Sequence, residues 1–238
     1  MTGTIVNAAA IIVGTLVGLL VKKGLPDEKE KAIMKIMGLA VMVIGINGVI
    51  SSMFTVGADG SLSSSGELLM VISLIIGTIA GEYLNIDEHL NRFGQRIEEK
   101  TKAEGFSKGF ISATILYCVG AMAIIGSLND GLTGDSSVLF IKGALDGTMS
   151  IMLTASLGFG VAFSAIPVLL YQGTISLLAG FISPLVSAEL LNQICSIGYV
   201  MVMAIGINLA DISKIKVANL LPGLLVPVIY QIAQNLIH

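Results

Sequence analysis

TIVNAAAIIVGTLVGLLV, residues 4–21, runs without a single charge and is followed at once by Lys22 and Lys23. A bilayer core of ~30 Å is crossed by about 20 apolar residues in a helix, so the segment has the length and polarity of a membrane span. Its charge order is the reverse of a signal peptide, which carries basic residues ahead of its apolar run. The segment is therefore expected to stay on the protein. Working outward, the same reading gives further spans at 35–53, 67–84, 110–128, 138–166, 168–184, 193–210 and 217–236. The stretch from Ser137 to Val186 holds two of them, with the break expected near Pro167 and Gly158-Phe159-Gly160 as the alternative.

Composition agrees. Apolar residues make up 54% and charged residues 12%, against about 25% charged in soluble domains. The 28 glycines suit close packing of membrane helices. Net charge is −3 with the basic residues in short clusters, which gives no support to nucleic-acid binding. Cys118 and Cys195 lie inside apolar runs and read as small packed residues. With no linker-like stretch, residues 1–238 read as a single transmembrane domain: an all-α polytopic helix bundle of about eight spans.

Lys and Arg set the orientation. Lys22, Lys23, Lys29, Lys31 and Lys35 follow span one; Arg92, Arg96, Lys100, Lys102 and Lys108 follow span three; Lys214 and Lys216 follow span seven. The loops at 54–66 and 129–137 carry Asp59, Asp130 and Asp135 but no basic residue. One alternating arrangement thus places twelve of the thirteen basic residues on the cytoplasmic side, with both termini outside. Lys142 is the exception. Within the inner loop after span three, Asn85 and Glu88 read as an N-cap and capping-box pair. Ile86, Leu90, Phe93 and Ile97 recur at helical spacing among charges, as in an amphipathic helix at about 86–104 lying in the interface.

Three stretches resemble one another. Val13-Gly14-Thr15-Leu16-Val17-Gly18 is followed by Val43-Ile44-Gly45-Ile46-Asn47-Gly48. Ile76-Gly77-Thr78-Ile79-Ala80-Gly81 is followed by Ile124-Ile125-Gly126-Ser127-Leu128-Asn129. Gln172-Gly173-Thr174 is followed by Ala204-Ile205-Gly206-Ile207-Asn208. On this topology the third copy starts inside and is inverted relative to the first two. Inverted repeats are a transporter architecture, with substrate held near the midplane.

Enzyme motifs are missing: there is no His-Glu-x-x-His, no Gly-x-Ser-x-Gly and no phosphate-cradling glycine loop. His89 and His238 do not make a metal site. No catalytic residue, metal or cofactor is expected. Polar residues in the spans carry the functional reading instead. Lys142 and Asp146 are four apart and share a helical face. Asp146 continues at i+4 steps into Ser150, Thr154, Gly158 and Ala162, a track of polar and small side chains. An Asp at a helix centre costs ~2.5–3.5 kcal/mol on insertion scales, so it faces a bundle interior or water. The blander alternative is an ion pair near the outer interface, with Lys142 snorkelling outward. Gln172 and Tyr171, just after Pro167, are positioned to line a cavity. Asn47, Asn129 and Asn208 read as helix C-caps or as site residues. Glu82 reads as interfacial.

Gly77-Thr78-Ile79-Ala80-Gly81-Glu82, Tyr117 to Ser127, Leu145-Asp146-Gly147, Tyr171-Gln172-Gly173 and Val217-Ala218-Asn219-Leu220-Leu221-Pro222 together resemble the bacterial membrane family called domain of unknown function 554. The resemblance runs nearly end to end. It implies the cytoplasmic membrane of a prokaryote and a transporter-like topology, and it supplies no substrate. The expectation is a secondary transporter of a small ion or small polar metabolite, embedded in the lipid bilayer and able to self-associate. A channel is the first alternative and a non-transporting scaffold or sensor the second. The lack of an ATP motif excludes a self-contained primary pump.

Overall fold

Helix α1, Thr2–Lys22, turns its small and polar residues inward. Gly3, Thr4, Asn7, Gly14, Thr15 and Gly18 are buried, while Ile5, Val13, Leu16 and Leu20 are exposed, Leu20 by 69%. In water that arrangement would be inverted; in hydrocarbon the apolar face belongs outside and close packing inside. The structure is a computed structural model that describes residues 1–22, 27–56, 59–101 and 106–237.

After α1 come α2 (Asp27–Met53), a short antiparallel hairpin of β1 (Phe54–Val56) and β2 (Leu62–Ser64), and α3 (Glu67–Leu84). Then follow α4 (Ile86–Thr101), α5 (Phe106–Cys118), α6 (Ala121–Leu132), α7 (Ser137–Leu157), α8 (Gly160–Phe163) and α9 (Ala165–Leu177). The chain closes with α10 (Ala179–Ile182), α11 (Ala188–Leu209), a 3-10 segment Val217–Leu225 and α12 (Val226–Ile237). Among the described residues, seven helical stretches are long and apolar enough to cross a membrane, and the α5–α6 pair, bent by 64°, makes an eighth. The protein is an all-α polytopic membrane helix bundle.

Two units divide the chain: Met1–Met37 with Leu90–Leu185, and Gly38–His89 with Val186–His238. In the first, α1 and α7 run parallel. A methyl on Gly3 would meet the Leu139 side chain, Gly143 lies against the Asn7 backbone, and a methyl on Gly18 would fall 2.5 Å from the Ile151 carbonyl oxygen. Side chains larger than hydrogen at Gly14 and Gly18 would push these two backbones apart. α9 runs antiparallel to α1, with Gly173 beside Met1 and Ala165 and Ile166 lining the same groove as Ala8 and Ile12. In the second unit α2 and α11 are antiparallel: Gly38 faces Ala210, Gly45 faces Met203 and Gly48 faces the Tyr199 ring. α3 packs antiparallel on the 3-10 segment, Gly77 against Gly223 and Gly81 against Asn219. Nine residues of 3-10 helix exceed the usual three or four.

Several boundaries differ from the sequence reading. The long stretch from Ser137 breaks at Gly158, φ 75°, not at Pro167. That left-handed φ suits glycine, whereas Pro167 sits in the first turn of α9, where its missing N–H costs nothing. Because the chain reverses there, the fifth and sixth spans are Ser137–Leu157 and Gly160–Leu177 rather than 138–166 and 168–184. The fourth span is not straight either, since Gly120 takes φ 109° between α5 and α6. Asn85 adopts φ 49° and closes α3, whereas a capping-box N-cap is extended. The amphipathic helix itself is present as α4; residues 102–104 of the expected 86–104 lie outside the described residues. The three Gly-Thr stretches do not emerge as packing modules: the two helices of each expected copy fall in different units.

Candidate functional site

Residue spacing on α7 generates the site. Asp146 lies nine residues into the helix, about 14 Å along its axis and near the middle of a ~30 Å core. Lys142, one turn earlier, bends along the helix instead of reaching outward. Its Nζ donates to both carboxylate oxygens, 2.9 Å to Oδ1 and 2.7 Å to Oδ2. Each residue is only 6% exposed. A pair this deep is held by its mutual charge, because separating either member would leave an uncompensated charge in low dielectric.

Three other helices of the first unit bring polar groups to this level. Asn7 of α1, fully buried, has its side-chain amide beside the Asp146 carboxylate and donates through Nδ2 to Gln172 Oε1 of α9 at 3.3 Å. That leaves Asn7 Oδ1 and Gln172 Nε2 buried without a hydrogen-bond partner. From α5, the Tyr117 hydroxyl meets Ser150 Oγ at 2.7 Å, and Ser150 donates to the Asp146 carbonyl at 2.8 Å. Thr154, one turn beyond Ser150, is fully buried and its Oγ1 has no partner. The expected track ends at Gly158: Ala162 lies past the reversal, on the returning segment, so it does not extend the face of α7.

The break in the fourth span falls opposite the ion pair. Tyr117, just before the break, reaches Ser150, and Gly126, just after it, packs against Leu139 and Val138. Residues 119–121 are thereby placed alongside Lys142–Asp146. Interrupted helices expose backbone donors and acceptors inside a membrane only where they face protein or a cavity.

Of the residues singled out from sequence, the structure unites Lys142, Asp146, Ser150 and Gln172, with Thr154 adjoining. Asn129 lies near the end of α6, half-buried, its carbonyl accepting from Thr133. Asn47 is exposed within α2, six residues before its end, and caps nothing. Asn208 holds the connection after α11, bonding the Ile215 carbonyl at 2.7 Å and its N–H at 2.8 Å. Asn47 and Asn208 belong to the second unit. The sequence reading missed Asn7 and Tyr117. Asn7 is the one amide in residues 4–21 and was visible there; Tyr117 gave no signal beyond its place before Val119-Gly120.

A second feature is a pocket of about 210 Å³ in the second unit, lined by Ser52, Thr55, Ser65, Glu189, Asn192 and Gln193 among others. Among the described residues, no group of three or more His, Cys, Asp or Glu is placed to hold a metal ion.

A family model described as Protein of unknown function (DUF554) matches residues 2–232. The chain is 34% identical over 227 residues to a Bacillus subtilis (strain 168) protein named Uncharacterized membrane protein YdfK, covering 95% of this chain and 94% of that one. It is 28% identical over 230 residues to Uncharacterized protein YqgA of Escherichia coli (strain K12), covering 94% and 93%. No solved structure matches the chain.

Proposed function

As this chain belongs to the family described as Protein of unknown function (DUF554), and one relative carries the name of a membrane protein, we propose that it is a secondary transporter of a small ion or small polar metabolite. The observation that supports this is the buried Lys142–Asp146 pair near the middle of α7, alongside the interruption of the fourth span. A purely structural bundle gains little from such a pair. Apolar residues of the same volume are often as stable or more so, by ~1–4 kcal/mol. Ionisable groups at this depth therefore favour a functional reading. Polar atoms left unpartnered at Asn7, Gln172 and Thr154 add capacity to bind something the pair does not supply.

Direction adds support. The Gly-Thr helices α1 and α9 run oppositely in the first unit, as an inverted repeat requires. We place the protein in the cytoplasmic membrane of a prokaryote, with both termini outside, on the basis of the Lys and Arg distribution. Its role is transport rather than enzymatic chemistry.

Purified protein in liposomes tests the reading. Saturable, gradient-driven uptake that disappears in the double variant Lys142→Met with Asp146→Leu, which leaves no orphaned charge and should still insert and elute as a monodisperse species, is the expected result. Flux that never saturates would favour a channel. Absence of flux under every gradient would move the assignment to a scaffold.

A further inference from the structure

We propose that the Lys142–Asp146 site takes a zwitterion: a small solute carrying one ammonium and one carboxylate, as a free amino acid does. The proposal rests on the transport reading and adds the class of substrate.

Electrical balance is the first argument. The site holds one ammonium and one carboxylate, each 6% exposed and each bonded to the other. An inorganic cation binding at Asp146 displaces Lys142 and leaves a buried ammonium with no partner. A simple anion at Lys142 does the same to Asp146. Either outcome leaves an uncompensated charge in low dielectric. A zwitterion replaces both halves at once: its carboxylate takes Lys142 Nζ and its ammonium takes the Asp146 carboxylate. No net charge is buried, and neither protein group is orphaned.

Hydrogen-bond complementarity is the second, and it stands on different atoms. Asn7 and Gln172 are both fully buried, and their mutual bond uses one donor and one acceptor. What remains is one acceptor, Asn7 Oδ1, and one donor group, Gln172 Nε2. A buried polar group without a partner is unfavourable and rare. An ammonium satisfies the acceptor and a carboxylate satisfies the donor group. The two unmet demands are of opposite kind, as the two ends of a zwitterion are. A single inorganic ion satisfies only one of them.

Third, such a solute is routed past the break of the fourth span. Residues 119–121 sit alongside the pair, and Gly120 takes a φ of 109° that frees the chain from helical continuation there. The opposite wall is closed, because Gly143 packs on the Asn7 backbone and Gly147 on Ala10. The solute therefore enters from the α5–α6 side, and the Tyr117–Ser150 bond sets where that side begins.

The test is uptake into liposomes containing the full-length protein. The probes are the twenty radiolabelled amino acids and glycine betaine. For each active probe, its carboxamide and its deaminated acid are compared, together with sodium, potassium, chloride and acetate. At least one zwitterion should accumulate, with its amide and its deaminated acid slower by at least about tenfold, since a site built to bond a group rejects analogues lacking it. Gln172→Leu removes the unpartnered Nε2 but also the acceptor of the Asn7 bond, so it should melt somewhat lower than wild type while staying folded at the assay temperature, and it should take up the zwitterion at least about fivefold more slowly. An uptake loss no larger than the loss of folded protein would make Gln172 structural and count against the proposal. Asp146-dependent uptake of an inorganic ion, or of the amide or acid as fast as the zwitterion, would overturn the zwitterion assignment and leave transport standing. Silence from every probe would overturn both.

Discussion

The Tyr117 hydroxyl lies 2.7 Å from Ser150 Oγ, and both side chains are buried in the first unit. Because Ser150 donates to the Asp146 carbonyl, Tyr117 is the donor of that bond. The residues just after Tyr117 break the fourth span, so the bond ties the break to the helix that carries the ion pair. Tyr117→Phe keeps the ring and loses one buried hydrogen bond. It should destabilise the protein by about 1 kcal/mol, read from thermal unfolding in detergent. Uptake should fall by more than that loss explains, because the entrance beside the pair is then less firmly placed.

Glycine tolerance should follow backbone proximity. A Cβ on Gly14 would collide with the Gly147 carbonyl, and one on Gly18 would lie 2.5 Å from that of Ile151. By contrast, Gly173 meets only the flexible end of Met1 at 3.3 Å, and Gly180 meets nothing within 4 Å. Gly14→Ala and Gly18→Ala should each lower stability by about 1–3 kcal/mol, as overpacking does. Gly173→Ala and Gly180→Ala should be near neutral. Melting temperatures of the four variants in one detergent decide it; equal effects would mean that α1 and α7 are not held this closely.

Asn219 should matter more than its exposed neighbours. It is 2% exposed, accepts from the Asp87 N–H at 2.7 Å and donates to Glu82 Oε1 at 2.9 Å. Lys216 bonds the other Glu82 oxygen at 2.9 Å but is exposed, so salt screens it. Asn219→Ala should cost about 1–3 kcal/mol through the two lost hydrogen bonds, one of them to a carboxylate. Lys216→Gln should be close to silent at physiological salt. The Glu82 carboxylate raises the Lys216 pKa above the ordinary 10.5, so whatever the pair contributes is fully present at neutral pH and is lost only as pH rises past that value. Unfolding midpoints at pH 7 and pH 11 check both statements.

Some of this was legible in the chain and some was not, and the division has physical causes. Span positions and number follow from apolar length, because hydrocarbon thickness fixes that length. Lys142 and Asp146 were legible because a helix puts positions four apart on one face. Asn7 was overlooked although it is the sole amide in residues 4–21; its meaning depends on Gly143 lying opposite, on a helix far along the chain. Gly158 and Pro167 both punctuate the fifth-to-sixth connection. Only the backbone decides between them: proline is harmless in a first helical turn, while a reversal at φ 75° requires glycine. Asn47 and Asn208 follow similar Ile-Gly segments, yet one is exposed within α2 and the other binds Ile215. Similar sequence did not specify similar contacts.

Sidedness is open to direct measurement. Cysteines placed at Lys29 and at Asp59, in a chain with Cys118→Ala and Cys195→Ala, should react from opposite sides with a membrane-impermeant maleimide. Position 59 should label in intact cells and position 29 only after permeabilisation. Equal labelling of both in intact cells would remove the proposed orientation.

The ion pair itself allows structure and function to be separated. Removing one partner leaves a buried charge, so Lys142→Met should cost about 3–5 kcal/mol and lower expression. The double variant Lys142→Met with Asp146→Leu removes both charges and keeps apolar volume, and should recover most of that stability, or exceed wild type. If the pair were only a structural tie, the double variant would transport normally once folded. The expectation is the opposite: a well-folded protein with no uptake. Exchanging the residues, Lys142→Asp with Asp146→Lys, preserves the pair and its net charge but moves the carboxylate four residues along α7, about 6 Å. Asn7 then faces an ammonium in place of the carboxylate it now adjoins. The exchanged protein should fold and fail to transport, because the position of the carboxylate, and not its mere presence, is what the neighbouring groups are arranged around. Normal uptake by the exchanged protein would show the pair to be structural and move the search to another part of the molecule.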